Sequence, residues 1–414
     1  MSSEKTLEAL RLEIDAVDRE MAELFDKRMK TVAEISEAKG KNGRIFDGER
    51  EKAVIEKNAA FVSGEMRDYY VRFQQNVLDL SKDYQRGLLS VGRYDDCVYI
   101  ESGLLSRAGD FFRLDRKVAV VTDGGVPAEY VGILSAQCRK AVVITLESGE
   151  DAKSAENAEM ICREMMENGF TRKDCVVSVG GGKVCDIAGF AAAIYMRGID
   201  FYSVPTTVLA QCDASVGGKN GVNLGSVKNV MGTFRKPNAV IIDPSLAETL
   251  DRKSFSEGMA EIIKIAAVLD RELFERIERG AGYGEVISDA VKLKLDVTGI
   301  DFRENGLRSV LNFGHTVGHG IELECGLMHG EAVAVGMIAM SEGEARERIS
   351  ALLAKYGLPV SAGFDTGRVM LAVSHDKKSA DGRIKCIICR EIGKYEIEEL
   401  DARQIEERLG SVKR

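Results

Sequence analysis

Between residues 116 and 244, five short β-rich runs (RKVAVVTD, KAVVITL, DCVVSVGGG, DFYSVPTT and NAVIIDP) alternate with stretches of helical character. Strand–helix alternation of this kind is the pattern of a parallel α/β sheet, and it rules out an all-β or all-α reading of the span. The chain has 414 residues, too many for one ordinary core, so two or three domains are expected. The segment before the alternation reads as all-helical: the first 126 residues hold no proline and the first 39 no glycine. The segment after it reads as mainly helical, with polar residues set into apolar stripes. The expected organisation is a helical module over 1–90, a Rossmann-like α/β domain over 91–245 and a mainly helical domain over 246–414. No proline- or serine-rich linker marks the first boundary.

Composition narrows the function classes. Hydrophobic residues make up 45% and charged residues 30%, the balance of a soluble globular protein. A formal charge of -9 argues against nucleic acid as a partner, while leaving room for a local basic pocket. No apolar run approaches membrane-span length, and the charged N-terminus is unlike a signal peptide, so no membrane role and a cytoplasmic location are expected. Nine cysteines, an odd number, then read as reduced thiols. Cys386 and Cys389 form a CxxC, but within IKCIICREIGKYEI they read as part of a strand and turn.

The densest chemistry lies in NFGHTVGHGIELECGLMHGE, residues 312–331, which holds three of the four histidines, His315, His319 and His329. His315 and His319 are four apart and share a helical face. Imidazole is the commonest metal ligand and the usual physiological acid or base, so the crowding points to a site. Spacing alone leaves two ligand sets open. One is the i,i+4 pair; the other is two histidines and a carboxylate with one position open, for which Glu261 in EGMAEIIK is a candidate.

The helical module carries a second anomaly. Leu7, Leu10, Ile14, Val17, Met21 and Leu24 form an apolar stripe whose next slot is Arg28, with Lys39 on nearly the same face. A second stripe runs from Met66 to Leu88, with Ser81 and Gln85 one turn apart beside it. A guanidinium in an apolar register is costly unless an anion meets it. Either an internal ion pair or a cation-lined pocket for a small polyanion satisfies that condition. In the α/β span, Gly180, Gly181 and Gly182 could let a pyrophosphate approach a helix N-terminus, although the run is neither GxGxxG nor a Walker sequence. Asp123 ends a strand where an acidic residue could meet a ribose hydroxyl.

NFGHTVGH, HGEAVAVGM and GMAEIIK resemble 3-dehydroquinate synthase, as do GGGxxxD, VPTT and GEDAK. The resemblance implies zinc or cobalt held by Glu261, His315 and His329, leaving His319 for proton transfer. It implies NAD at Asp123, Glu150, Lys153, Gly181, Gly182, Asp186, Thr206 and Thr207. Lys264 and Glu304 match catalytic positions. Asp213, Lys219, Lys228, Asn229, Lys294, Arg308, Asn312 and Lys377 match substrate contacts, and Arg197 matches a residue given to a neighbouring subunit's site. Lys183, Cys185, Gly125 and Phe302 depart from the family pattern. The implied reaction turns 3-deoxy-arabino-heptulosonate 7-phosphate into 3-dehydroquinate and phosphate by transient oxidation at NAD, phosphate elimination, re-reduction and aldol closure. A metal-dependent alcohol dehydrogenase and another sugar-phosphate cyclase are the competing readings.

The opening ALRLEIDAVDREMAELFDKRMKTVAEISEAKG, with FDGERE and SKDYQ, resembles the all-helical chorismate mutases. That likeness implies rearrangement of chorismate to prephenate. Arg11 (from the partner of an interlocked homodimer), Arg28 and Arg50 would clamp carboxylates, and Lys39 and Gln85 would face the ether oxygen. Asp47, Glu51 and Ser81 would complete the pocket. A module kept only for dimerisation or ligand sensing is the alternative.

Overall fold

The computed structural model describes residues 6–39, 45–88, 92–94, 97–225, 227–376 and 383–414, so Lys377 lies outside the described residues. The chain forms two compact units, one of residues 1–91 with 107–115 and the other of 92–106 with 116–414.

The first unit is built on three helices, α1 (Leu7–Lys39), α2 (Gly48–Ala59) and α3 (Arg67–Leu88). Asp47 caps α2, its carboxylate accepting from the Arg50 amide at 3.0 Å. α1 has 33 residues against the 22 of α3. Among its described residues only Val32 is buried, and the whole stripe from Leu7 to Leu24 is exposed. Its helical period was legible, but among the described residues nothing covers its apolar face.

The second unit holds a seven-stranded sheet. Its strands are β1 (Gly92–Tyr94), β2 (Val98–Ile100), β3 (Lys117–Asp123), β4 (Lys140–Leu146), β5 (Cys175–Gly180), β6 (Asp200–Pro205) and, further on, β9 (Ala239–Ile242). The order is β1-β2-β9-β6-β5-β3-β4, parallel throughout except for β1 against β2. Val118, Ala119, Val120 and Val121 are fully buried because helices cover both faces of a parallel sheet. Chain order reverses between β3 and β5, and such a switch point opens a crevice at the carboxyl ends of the strands. Asp123 and the Gly180–Gly182 turn both sit at those ends. A Cβ on Gly180 would lie 2.7 Å from the Val184 side chain, so only glycine lets the turn fold this tightly onto the following helix.

Residues 219–234, outside the five β-rich runs, form an antiparallel hairpin of β7 (Lys219–Leu224) and β8 (Val227–Phe234). β8 lies exposed along nearly its whole length, so its sequence shows no apolar alternation. The remainder is a helical core that includes the Arg252–Leu269, Tyr283–Ile300, His315–Cys325 and His329–Ala339 helices. A terminal hairpin, β10 (Ile384–Ile388) with β11 (Glu396–Leu400), packs into it. Cys386 and Cys389 are buried there, and all nine cysteines are unbridged thiols.

Candidate metal and substrate site

Three helices converge on one point. The Arg252–Leu269 helix, capped by Asp251, carries Glu261 and, one turn on, Lys264. Gly314, at φ +79°, turns the chain into the next helix, which starts at His315. His329 opens the helix after that. A Cβ on Gly336 would sit 2.0 Å from the Gly314 carbonyl oxygen, so glycine is what allows the two histidine-bearing helices to pack this closely.

Glu261 Oε1 faces His315 Nε2 at 3.5 Å and His329 Nε2 at 3.6 Å, and one ligand atom from each of the three residues lies within 4.8 Å of the others. Glu261 is 1% exposed; its Oε2 is ion-paired to buried Lys264, but its Oε1 has no hydrogen-bond donor among the described residues. A buried carboxylate oxygen lacking a donor is costly unless something else takes that place. His315 Nδ1 lies 3.3 Å from the Phe313 carbonyl, which accepts its proton and leaves the Nε2 lone pair aimed inward. One unpartnered oxygen and two imidazole nitrogens around one point fit a divalent metal bound by three protein ligands with a position open. His319 stays outside the set: it is exposed, and its ring lies 5.3 Å from that of His315 and 5.8 Å from that of His329.

Electrostatics agree with a cation site. Burial opposes the charge of Glu261, but Lys264 and the two histidines outweigh it and hold the carboxyl well below its usual range. Burial, reinforced by Lys264, keeps His315 neutral. Burial also disfavours the imidazolium of His329, yet the carboxylates of Glu261 and Glu322 push its pKa up to about 10. Without metal, His329 therefore carries a proton that a bound ion would displace.

A polar shell surrounds the cluster. Lys294 donates to Asp213 Oδ1 and to the Asp213 carbonyl, both at 2.5 Å. Lys219 pairs with Glu304, whose other oxygen accepts from Asn312 at 2.8 Å. Glu304 is held in the left-handed region at φ 60°, and Lys219 keeps its carboxyl below the usual value against the effect of burial. Arg308 is buried and donates to the Gly217 and Phe302 carbonyls. Toward the nucleotide half, Lys153 bridges Asp186 and Asn229, each at 2.5 Å. Gly181 caps the Gly182–Ile194 helix and lies beside the Thr207 side chain, Thr206 donates its amide to the Gly180 carbonyl, and Asp123 accepts from the Gly125 amide at 2.8 Å. Glu150 lies in a short helical turn just before Lys153. Arg197 is exposed on a left-handed turn at φ 66°. Sequence reasoning missed Glu322, although it lies seven residues after His315 and three after His319, on their helical face.

In the first unit Arg28 donates to Ser81, which also donates to the Val77 carbonyl at 2.5 Å. Glu51 pairs with Lys82 at 2.8 Å, a buried lysine that sequence reading overlooked. The Gln85 Oε1 is buried without a partner among the described residues. Arg11 is exposed on α1, and Lys39 closes that helix.

Fold and site define a two-half enzyme, its α/β half built like a dinucleotide domain and its helical half carrying a donor set for a divalent metal. Residues 143–257 match the 3-dehydroquinate synthase N-terminal family, 258–379 the 3-dehydroquinate synthase C-terminal family and 10–86 chorismate mutase type II. The chain is 38% identical over 333 residues to the 3-dehydroquinate synthase of Enterococcus faecalis, covering 74% of this chain and 93% of that one. It is 42% identical over 304 residues to that of a Sulfurovum species, covering 68% and 87%. A solved 2-epi-5-epi-valiolone synthase of Streptomyces hygroscopicus, with NAD+ and Zn2+ bound, superposes with a TM-score of 0.71 at 27% identity over 78% of this chain and 97% of that one. The chain belongs to the 3-dehydroquinate synthase family and carries a chorismate mutase domain as well, which makes it a bifunctional enzyme of the shikimate pathway.

Proposed function

We propose that the second unit converts 3-deoxy-arabino-heptulosonate 7-phosphate into 3-dehydroquinate and phosphate at the Glu261, His315 and His329 cluster. The supporting observation is Glu261 Oε1, without a hydrogen-bond donor among the described residues, facing two imidazole nitrogens. Zinc or cobalt held there would supply Lewis acidity at substrate hydroxyls, and NAD in the crevice beyond β3 and β5 a temporary hydride acceptor. Lys264 fixes Glu261 by a buried ion pair and so sets the direction of its other oxygen. His319, exposed one turn beyond His315, takes and returns the substrate hydroxyl proton. Lys219, Lys228, Lys294, Arg308 and Lys377 supply positive charge for the substrate's carboxylate and phosphate. Asp213, Glu304, Asn229 and Asn312 hold those cations and the substrate hydroxyls in register, and Arg197 serves a neighbouring subunit. Lys153, Asp186, Asp123, Glu150, Thr206, Thr207 and the Gly181–Gly182 turn form the cofactor side.

The first unit rearranges chorismate to prephenate without covalent chemistry. Arg28, Arg50 and the partner's copy of Arg11 clamp two carboxylates, Lys39 and Gln85 face the ether oxygen, and Asp47, Glu51 and Ser81 close the pocket. The exposed apolar stripe of α1 supports a homodimer in which two such helices interlock. Leaving six large apolar side chains in water would forgo on the order of 10 kcal/mol. The unbridged cysteines suit a reducing cytoplasm. The test is phosphate release from the heptulosonate phosphate with and without metal and NAD, beside prephenate formation from chorismate. Release that needs both additions, with no net NADH, supports the synthase. NADH accumulating on simple alcohols would refute it.

A further inference from the structure

We infer that Glu322 is a positioning residue whose two carboxylate oxygens serve two different parts of the site. Its Oε2 lies 3.0 Å from His329 Nδ1 and accepts that proton, which leaves Nε2, 3.6 Å from Glu261, as the nitrogen whose proton a bound ion would displace. Its Oε1 accepts from Lys228 Nζ at 2.7 Å. Lys228 belongs to β8, a strand exposed along nearly all its length, so this bond ties an exposed strand to the helices that carry the histidines. The next residue, Asn229, is held from the opposite side by Lys153, which also pairs with Asp186. Successive residues of one strand are thereby anchored to the metal half and to the nucleotide half.

A lone surface Lys–Glu pair is worth only about 0–1 kcal/mol and would imply nothing. Glu322 differs in that its side chain is only 17% exposed and faces a ligand imidazole with one oxygen and a cation with the other. Carboxylates that fix the tautomer and ring plane of a ligand histidine change metal affinity by about 10–100-fold when removed. The inference rests on the metal-centre reading, and the test separates the two.

Full-length protein is stripped of metal and titrated with Co2+ against a chromophoric chelator, and the visible d–d spectrum is recorded alongside. Glu322→Ala is expected to weaken Co2+ binding by about 10–100-fold and to shift the d–d bands. Glu322→Gln, which keeps the shape and one neutral acceptor, should lose less in the same direction and carries the test if the alanine variant fails to fold. Lys228→Met leaves Oε2 in place and should alter Co2+ affinity by less than about 3-fold; a loss as large as that of Glu322→Ala would overturn the division between the two oxygens. His329→Ala should abolish tight Co2+ binding, and unchanged binding would refute the metal centre itself. If His329→Ala loses the metal while both Glu322 variants bind it within about twofold of wild type, with unaltered bands, the role given to Glu322 is wrong.

Discussion

Replacing Lys264 with methionine tests the buried ion pair under the metal site. Lys264 is 2% exposed and Glu261 1%, so neither charge can recruit water when its partner is lost. Breaking such a pair from one side costs about 3–5 kcal/mol, most of it the penalty of an uncompensated buried charge. Methionine keeps most of the lysine's volume, which limits any added cavity cost. The loss should depend on metal, because an ion at Glu261 would replace the missing cation. With saturating Zn2+ the deficit should shrink to about 1 kcal/mol, the scale of one hydrogen bond. It should also depend on pH. In wild type the Glu261 carboxyl is held well below its usual range, so its contribution is fully present above the unfolded value of about 4.3 and is lost only as pH falls through the lower folded value. In the variant that protection is gone, and the deficit should be greatest at neutral pH and narrow as the solution is acidified. Hydrogen exchange of the Arg252–Leu269 amides reads the local opening free energy and avoids treating a two-unit protein as one transition. Metal-free protection within about 1 kcal/mol of wild type, or an equal loss with and without Zn2+, would refute the reasoning.

The remaining predictions concern packing, the mutase pocket and assembly. Gly336→Ala puts a Cβ 2.0 Å from the Gly314 carbonyl oxygen, so the histidine helices must separate; a stability loss of about 1–3 kcal/mol and weaker Co2+ binding are expected from melting and chelator competition. Gln85→Met removes a buried acceptor without a partner among the described residues, along with a long 3.4 Å donation to the Ser81 carbonyl, so the folded protein should be nearly unharmed while chorismate turnover falls by about 100–1,000-fold. Equal losses of stability and turnover would contradict it. Ile14→Asp with Val17→Asp charges the exposed stripe of α1; if that stripe is the proposed dimer contact, sedimentation should show a smaller species, and mutase turnover should drop at least about 100-fold if Arg11 must come from a partner.

What could be read from the sequence follows the range of the forces involved. The β runs from Lys117 to Ile242 were legible because parallel strands covered on both faces need nearly unbroken apolar stretches. The hairpin at 219–234 was not, because an exposed strand has no such requirement and its glycines resemble those of a loop. The same limit explains the histidines. Four-residue spacing makes His315 and His319 look like the natural pair, yet the structure turns His319 outward and brings His315 and His329 to a carboxylate more than fifty residues upstream. That juxtaposition depends on two helices crossing closely enough to need glycine at 336, and no local period encodes it. Glu322 shared the helical face of His315 and His319, but nothing in that spacing indicated that His329 would fold back over it. The stripe of α1 marks the opposite limit: its period was plain, while among the described residues nothing covers it. Apolar periodicity therefore predicts that a face will be covered, but only the assembled structure identifies what covers it.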